Sequence, residues 1–169
     1  MRSFGINQQK VNDLLKFAKI TEPPVDVEKV ALLFDVRVIP WEFPDSFDGG
    51  VFIHDKGRVI AVNKNHSLTR QRFTIAHEIG HLAHGHYISD TELELFKDTS
   101  FNYLNPLHRQ NHEADLFAAE LLMPRQFLEN SLIKMGLDYQ RLAEIYQVSD
   151  KAMKIRLINT GLAEKYAIK

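Results

Sequence analysis

Apolar residues recur along this chain with two different periods, and the change of period divides it into elements. Val11, Leu14, Leu15 and Ala18 fall at helical spacing, which predicts a helix that must end before Pro23-Pro24, where proline lacks the N–H a helix needs. A second helix is expected from Asp26, with Val27, Val30, Ala31 and Phe34 on its inner stripe. Three extended runs follow, Arg37 to Phe43, Gly50 to His54 and Arg58 to Asn63, separated by Pro44-Asp45 and Asp55-Lys56-Gly57. The tight second link predicts a hairpin, and the three runs together predict a small antiparallel sheet. Helical spacing then returns over residues 68–82, where Leu68, Phe73, Ala76, Ile79 and Leu82 lie near one stripe and Ser67 or Thr69 can cap the first turn.

Residues 88–110 break the pattern and carry Asp90, Glu92, Glu94 and Asp98 on a loop too long for a simple connector. A lid or substrate rim fits such a loop, and so does a solvated acidic surface. Another helix is expected from near Asn111 to Leu122, broken at Met123-Pro124, with the next beginning at Pro124. From Leu142-Ala143 through Val148-Ser149 to Leu157 the spacing has the rhythm of a helix-turn-helix, with Ser149 as N-cap and Gly161 as stop.

Composition narrows the chemistry. A chain of 169 residues, 44% of them apolar, can bury the core of one domain. No apolar run is long enough to span a bilayer, and Met1-Arg2-Ser3-Phe4-Gly5 lacks the apolar core of a signal peptide, so a cytoplasmic location is expected. Without cysteine, any metal must be held by His, carboxylate, amide or water. The net charge of −1 gives no global electrostatic case for nucleic acid. Locally, Lys151, Lys154, Arg156, Lys165 and Lys169 outnumber Asp150 and Glu164, as either a solvated helix face or a nucleic-acid contact would require.

The most informative stretch is His77-Glu78-Ile79-Gly80-His81. Random placement would give His-Glu-x-x-His only about 0.02 times in a chain of this composition, so the match outweighs coincidence. Residues four apart stack on one helix face, and both imidazoles can therefore reach one Zn²⁺. Glu78, about 100° further round, is poorly placed as a ligand but can act as a base on a water held there. That is the arrangement of a zinc metallopeptidase. The alternative, two satisfied core histidines, explains neither the spacing nor the glutamate. The longer pattern that adds Gly and a third His is absent, because His84 and Tyr87 occupy those positions. On a continuing helix His84 can line the site while His86 turns away, and both also suit a helix C-terminus, where cations are welcome.

Arg72-Phe73-Thr74-Ile75-Ala76-His77-Glu78-Ile79-Gly80-His81, followed by Glu113-Ala114-Asp115-Leu116-Phe117-Ala118-Ala119-Glu120-Leu121-Leu122-Met123-Pro124, resembles the ImmA/IrrE family of zinc-dependent metallo-endopeptidases. Pro24-Val25-Asp26-Val27-Glu28 and Ile60-Ala61-Val62-Asn63 add to the likeness, which covers roughly residues 20–160. The resemblance implies an α+β fold: the small antiparallel three-stranded sheet, a helical zincin-like core and a C-terminal helix-turn-helix-like segment. Residues 1–135 would form the peptidase-like domain, with residues 136–169 a helical appendage packed on it. It also implies Zn²⁺ and a protein substrate, a DNA-binding repressor or an antitoxin-like regulator, in bacteria, phages or mobile elements.

In that family a Glu on the later helix is the third ligand, and an Asp or Asn four residues on hydrogen-bonds a ligand histidine. Asp115 matches the second position, but Asn111 stands at the first. An amide oxygen can bind metal without bringing a charge. Glu113 is the nearest carboxylate, yet on an unbroken helix it lies about 200° round the axis from Asn111 and can serve only if the helix starts late. Asn111, Glu113, or two histidines completed by water remain the three readings of the site. For the oxyanion of the transition state, His84, Tyr87 and Tyr103 are candidate hydrogen-bond donors. Two rivals stand beside the peptidase: a pseudopeptidase that binds its partner without cutting, and a helix-turn-helix regulator that binds DNA. Gln147 in place of the usual turn glycine weakens the second.

Overall fold

The computed structural model describes the backbone of residues 2–54, 57–86 and 105–167, and the side chains of residues 7–52, 57–86 and 109–167. Helix α1 spans Arg2–Phe17, and α2 spans Val27–Ala31 and runs into a 3-10 turn over Leu32–Phe34. Strands β1 (Arg37–Trp41), β2 (Gly49–His54) and β3 (Gly57–Asn63) follow. Helices α3 (Leu68–His84), α4 (Asn105–Leu122), α5 (Arg125–Met135), α6 (Tyr139–Tyr146), α7 (Asp150–Asn159) and α8 (Leu162–Ala167) complete the described chain. The expected caps are present: Asp26 accepts from the Lys29 N–H, Ser67 from Arg70 and Ser149 from Ala152. The acidic stretch with Asp90, Glu92, Glu94 and Asp98 lies outside the described residues.

The sheet corrects the expectation of purely antiparallel pairing. Its order is β1-β3-β2, with β2 antiparallel to β3 and β1 parallel to it. The hairpin is therefore real, but β3 lies between the other two strands. Its position shows in its burial: Ile60, Ala61, Val62 and Asn63 are buried in succession, as a strand covered on both faces should be. Residues 42–48 carry the chain past the place where β3 will enter.

A second correction concerns α3. Leu68 is 76% exposed and Phe73 is also exposed, so the buried stripe is Thr74, Ile75, Ala76, Glu78, Ile79, Gly80 and His81. The apolar stripe read from the sequence was a turn too long at its start. The third correction is that α4 is helical from Asn105, not from near Asn111. One hydrophobic cluster joins α1, the sheet and α3 through Val11, Leu15, Ile60 and Ile79 to Leu142, Tyr146, Met153, Leu157 and Leu162 of the C-terminal helices. Among the described residues no helix is long and apolar enough to cross a membrane.

Candidate metal centre

Helices α3 and α4 make the most extensive helix–helix contact of the structure, and the centre lies along it. Gly80 permits the approach. A Cβ at that position would lie 3.0 Å from both the Cα and the carbonyl oxygen of Ala114, so the missing side chain lets the two backbones close together. Residues 111–115 are thereby brought against His77 and His81.

His77 and His81 turn their Nε2 atoms toward each other at 3.0 Å. The Asn111 side chain hydrogen-bonds both imidazoles. One turn along α4, Asp115 accepts a hydrogen bond from His77 Nδ1 at 2.8 Å, which in the neutral ring leaves the lone pair on Nε2. Glu78 is only 6% exposed, and its charge bears on His77. Burial alone would lower the His77 pKa, but the hydrogen bond with Asp115 and the charges of Glu78 and Asp115 outweigh it and raise the value above normal. At His81 burial dominates, repulsion from His77 and His86 adds to it, and the pKa falls to about 3. His81 is therefore a neutral ring whose lone pair is available to a cation.

This donor set fits a divalent ion. Two ring nitrogens facing each other at 3.0 Å repel unless a proton or a cation lies between them, and the separation suits two ligands of one Zn²⁺. Asn111, whose amide hydrogen-bonds both rings, stands on the same side and could offer its oxygen as a third donor. Glu113 does not join this set: because α4 starts early, its side chain points elsewhere, to Arg109 Nε at 3.0 Å and His86 Nε2 at 3.3 Å.

His84 and His86 exchange the places expected of them. The helix stops at His84, and Gly85 adopts the left-handed conformation, φ 69°. The Gly85 N–H then bonds the Leu82 carbonyl at 3.1 Å and the His86 N–H bonds the His81 carbonyl at 2.9 Å, a glycine-terminated cap that folds His86 back over the last turn. Its Nδ1 reaches His81 Nδ1 at 2.9 Å. His84 instead stacks on His86 and meets the edge of Phe117, with Nδ1 3.5 Å from Lys10 Nζ. Counting His86 as a helical residue hid this arrangement, and the glycine between the two histidines was the signal for it. His84, His86 and Glu113 each offer one donor atom within 4.8 Å of the others. Tyr87 and Tyr103 lie outside the described residues.

Beside the centre runs a groove of about 620 Å³, lined among others by Phe73, His112, Asp115, Leu116, Ala152 and Ile155. Asp115 belongs to both, so the groove borders the centre at that residue. The helix-turn-helix-like segment forms its far wall. Of the cations expected to serve phosphates there, Arg156 is buried, bonds the Met123 carbonyl at 3.1 Å and pairs with Glu120. Lys154 lies over the Tyr139 ring, 5.9 Å from its centroid.

A relative, the metallopeptidase ImmA of Bacillus subtilis, is 29% identical over 116 residues, covering 66% of this chain. The chain matches 64% of that protein's length. A solved structure of a Mycobacterium tuberculosis transcriptional regulator superposes with a TM-score of 0.69 at 15% identity, over 90% of this chain and 46% of the other, which establishes a shared fold. The IrrE N-terminal-like domain, a peptidase family, matches residues 32–158. That span takes in the sheet, both helices of the centre and the helix-turn-helix-like segment, and the chain belongs to this family.

Proposed function

We propose that the protein is a zinc-dependent metallo-endopeptidase that cleaves a regulatory protein, with a DNA-binding repressor or antitoxin-like regulator as its substrate. The observation that carries this reading is the pair of Nε2 atoms 3.0 Å apart, bridged by Asn111 and adjacent in sequence to the buried Glu78. His77, His81 and Asn111 would hold the ion. When bound, zinc supplies a Lewis acid for the scissile carbonyl and lowers the pKa of water toward ~7. The Glu78 carboxylate would take the proton of the attacking water and pass it to the leaving amine. Asp115 keeps His77 in the tautomer that presents Nε2. β2 is an edge strand, so an extended peptide can add to it by main-chain hydrogen bonds while the apolar groove beside Asp115 receives side chains.

The test is incubation of the zinc-loaded protein with repressor-type proteins, read by mass spectrometry of the products, beside Glu78→Gln. The expected result is cleavage at a defined bond by the parent and none by the variant, with zinc still bound to both. Cleavage by Glu78→Gln at the parental rate would remove Glu78 from the mechanism, and a parent that binds no zinc would remove the reading. The neutral amide at position 111 favours one alternative, a pseudopeptidase that captures its partner intact. In that case the parent binds zinc and the partner protein, and the partner is recovered whole.

A further inference from the structure

We propose that His86 and Glu113 form a positioning relay that sets the tautomer of His81 and lends it negative charge in place of the carboxylate missing at position 111. The inference rests on the metal-centre reading above. Its geometry is a continuous line of contacts: Glu113 Oε2 to His86 Nε2 at 3.3 Å, His86 Nδ1 to His81 Nδ1 at 2.9 Å, and His81 Nε2 facing His77 Nε2 at 3.0 Å.

Proton bookkeeping along this line leaves one consistent assignment. A neutral imidazole carries one N–H and one lone pair, and an ionised carboxylate only accepts. Glu113 is a partly exposed carboxylate within reach of Arg109 Nε at 3.0 Å and His86 Nε2 at 3.3 Å. His86 must therefore donate from Nε2 to Glu113, which leaves a lone pair on its Nδ1. That lone pair accepts the Nδ1–H of His81, and His81 is left with its own lone pair on Nε2, beside His77 and Asn111. The reverse assignment, with the proton on His86 Nδ1, would place the His81 proton on Nε2 and spoil it as a ligand. His77 is held at Nδ1 by Asp115 directly, and in the zinc-free protein the proton between the two Nε2 atoms is carried by His77.

Both histidines therefore have a carboxylate behind them, one direct and one through a second ring. A carboxylate behind a ligand histidine raises its basicity and tightens the metal. Asn111 contributes no charge of its own, and Glu113 supplies one at a distance. The chain can build the relay because Gly85 ends α3 one residue before His86, and because Glu113 lies two residues from Asn111 and hence on a different face of α4.

The experiment combines the His81 tautomer in the zinc-free protein, from ¹⁵N NMR of the imidazoles, with zinc affinity and stoichiometry by chelator competition. Variants are Glu113→Ala, Glu113→Gln, His86→Ala and, as a control, Arg109→Ala. The parent is expected to show His81 protonated at Nδ1 and to bind one zinc. Glu113→Ala and His86→Ala should mix the two tautomers and weaken zinc about 10–100-fold. Glu113→Gln, which keeps an acceptor, should retain the tautomer and lose less affinity, and Arg109→Ala should change little. Glu113 is partly exposed, and a variant that fails to fold is replaced in the comparison by His86→Ala. An unchanged His81 tautomer and unchanged affinity in both alanine variants would overturn the relay. So would a second zinc in the parent that disappears with His84, His86 or Glu113, since those donors would then be holding a cation. The tautomer is read without metal, so the relay can fail or stand whether or not the protein proves to be a zinc peptidase.

Discussion

At the residue scale the centre depends on one substitution of charge by dipole. Asn111 presents to the two histidines an amide where relatives of the fold are expected to place a carboxylate, and an anionic ligand contributes more to holding Zn²⁺ than a neutral one. Asn111→Glu should accordingly tighten zinc by on the order of tenfold, while His77→Ala or His81→Ala should reduce bound zinc to background, as elemental analysis and chelator competition will show. Stoichiometric zinc in either alanine variant would refute the site. Away from the metal, the buried pair Glu120–Arg156 joins three helices: Glu120 Oε1 accepts the first N–H of α5 from Arg125 at 3.2 Å, and Oε2 takes the Arg156 guanidinium from α7. Glu120→Ala leaves a buried cation without its counter-ion, and the expected loss is about 3–5 kcal/mol in urea denaturation. Replacing both partners by apolar residues of similar volume should recover most of that loss.

At the element scale the close crossing of α3 and α4 sets how Asn111 and Asp115 meet the histidines. Gly80→Ala would put a methyl group 3.0 Å from the Ala114 backbone, tighter than packed atoms tolerate, and α4 must move to accept it. The expected cost is about 1–3 kcal/mol of stability, accompanied by weaker zinc, because the same shift pulls Asn111 and Asp115 from their partners. If zinc affinity held while stability fell, the crossing would be structural only. The two sides of this contact were not equally legible in the sequence. His77, Glu78 and His81 were plain because one helix turn fixes their relation, and the family resemblance gave Asp115 its place four residues from Asn111. What the sequence could not give was the partner of each atom across the helices. The His86–His81 contact depends on a left-handed Gly85 that ends α3, and the fate of Glu113 on where α4 begins. Strand direction was lost for a similar reason, since alternation marks a strand but carries no sign for the neighbour it pairs with. The unbroken apolar run Val59-Ile60-Ala61-Val62 is the signal by which β3 could have been placed as the covered, central strand.

At the scale of the whole molecule the C-terminal helices decide what kind of protein this is. A helix-turn-helix that reads DNA holds its second helix clear of the body and presents cations to phosphates. Here α7 turns Met153, Arg156 and Leu157 inward, ties Arg156 to Glu120 and forms one wall of the groove that opens at Asp115. A removable appendage would have its own core, whereas Leu142, Tyr146, Met153, Leu157 and Leu162 are fully buried in the same cluster as Ile79 and Phe117 of helices α3 and α4. Burying a large apolar side chain contributes roughly 1.5–3 kcal/mol, so loss of these five alone is comparable to the whole margin of about 5–15 kcal/mol by which a domain is stable. A chain cut after Met135 should therefore fail to give a cooperative thermal transition in circular dichroism and should not hold zinc, while the full chain does both. A stable, zinc-binding fragment of residues 1–135 would show instead that the C-terminal helices are a separate module, and the groove would then lie between two parts free to move.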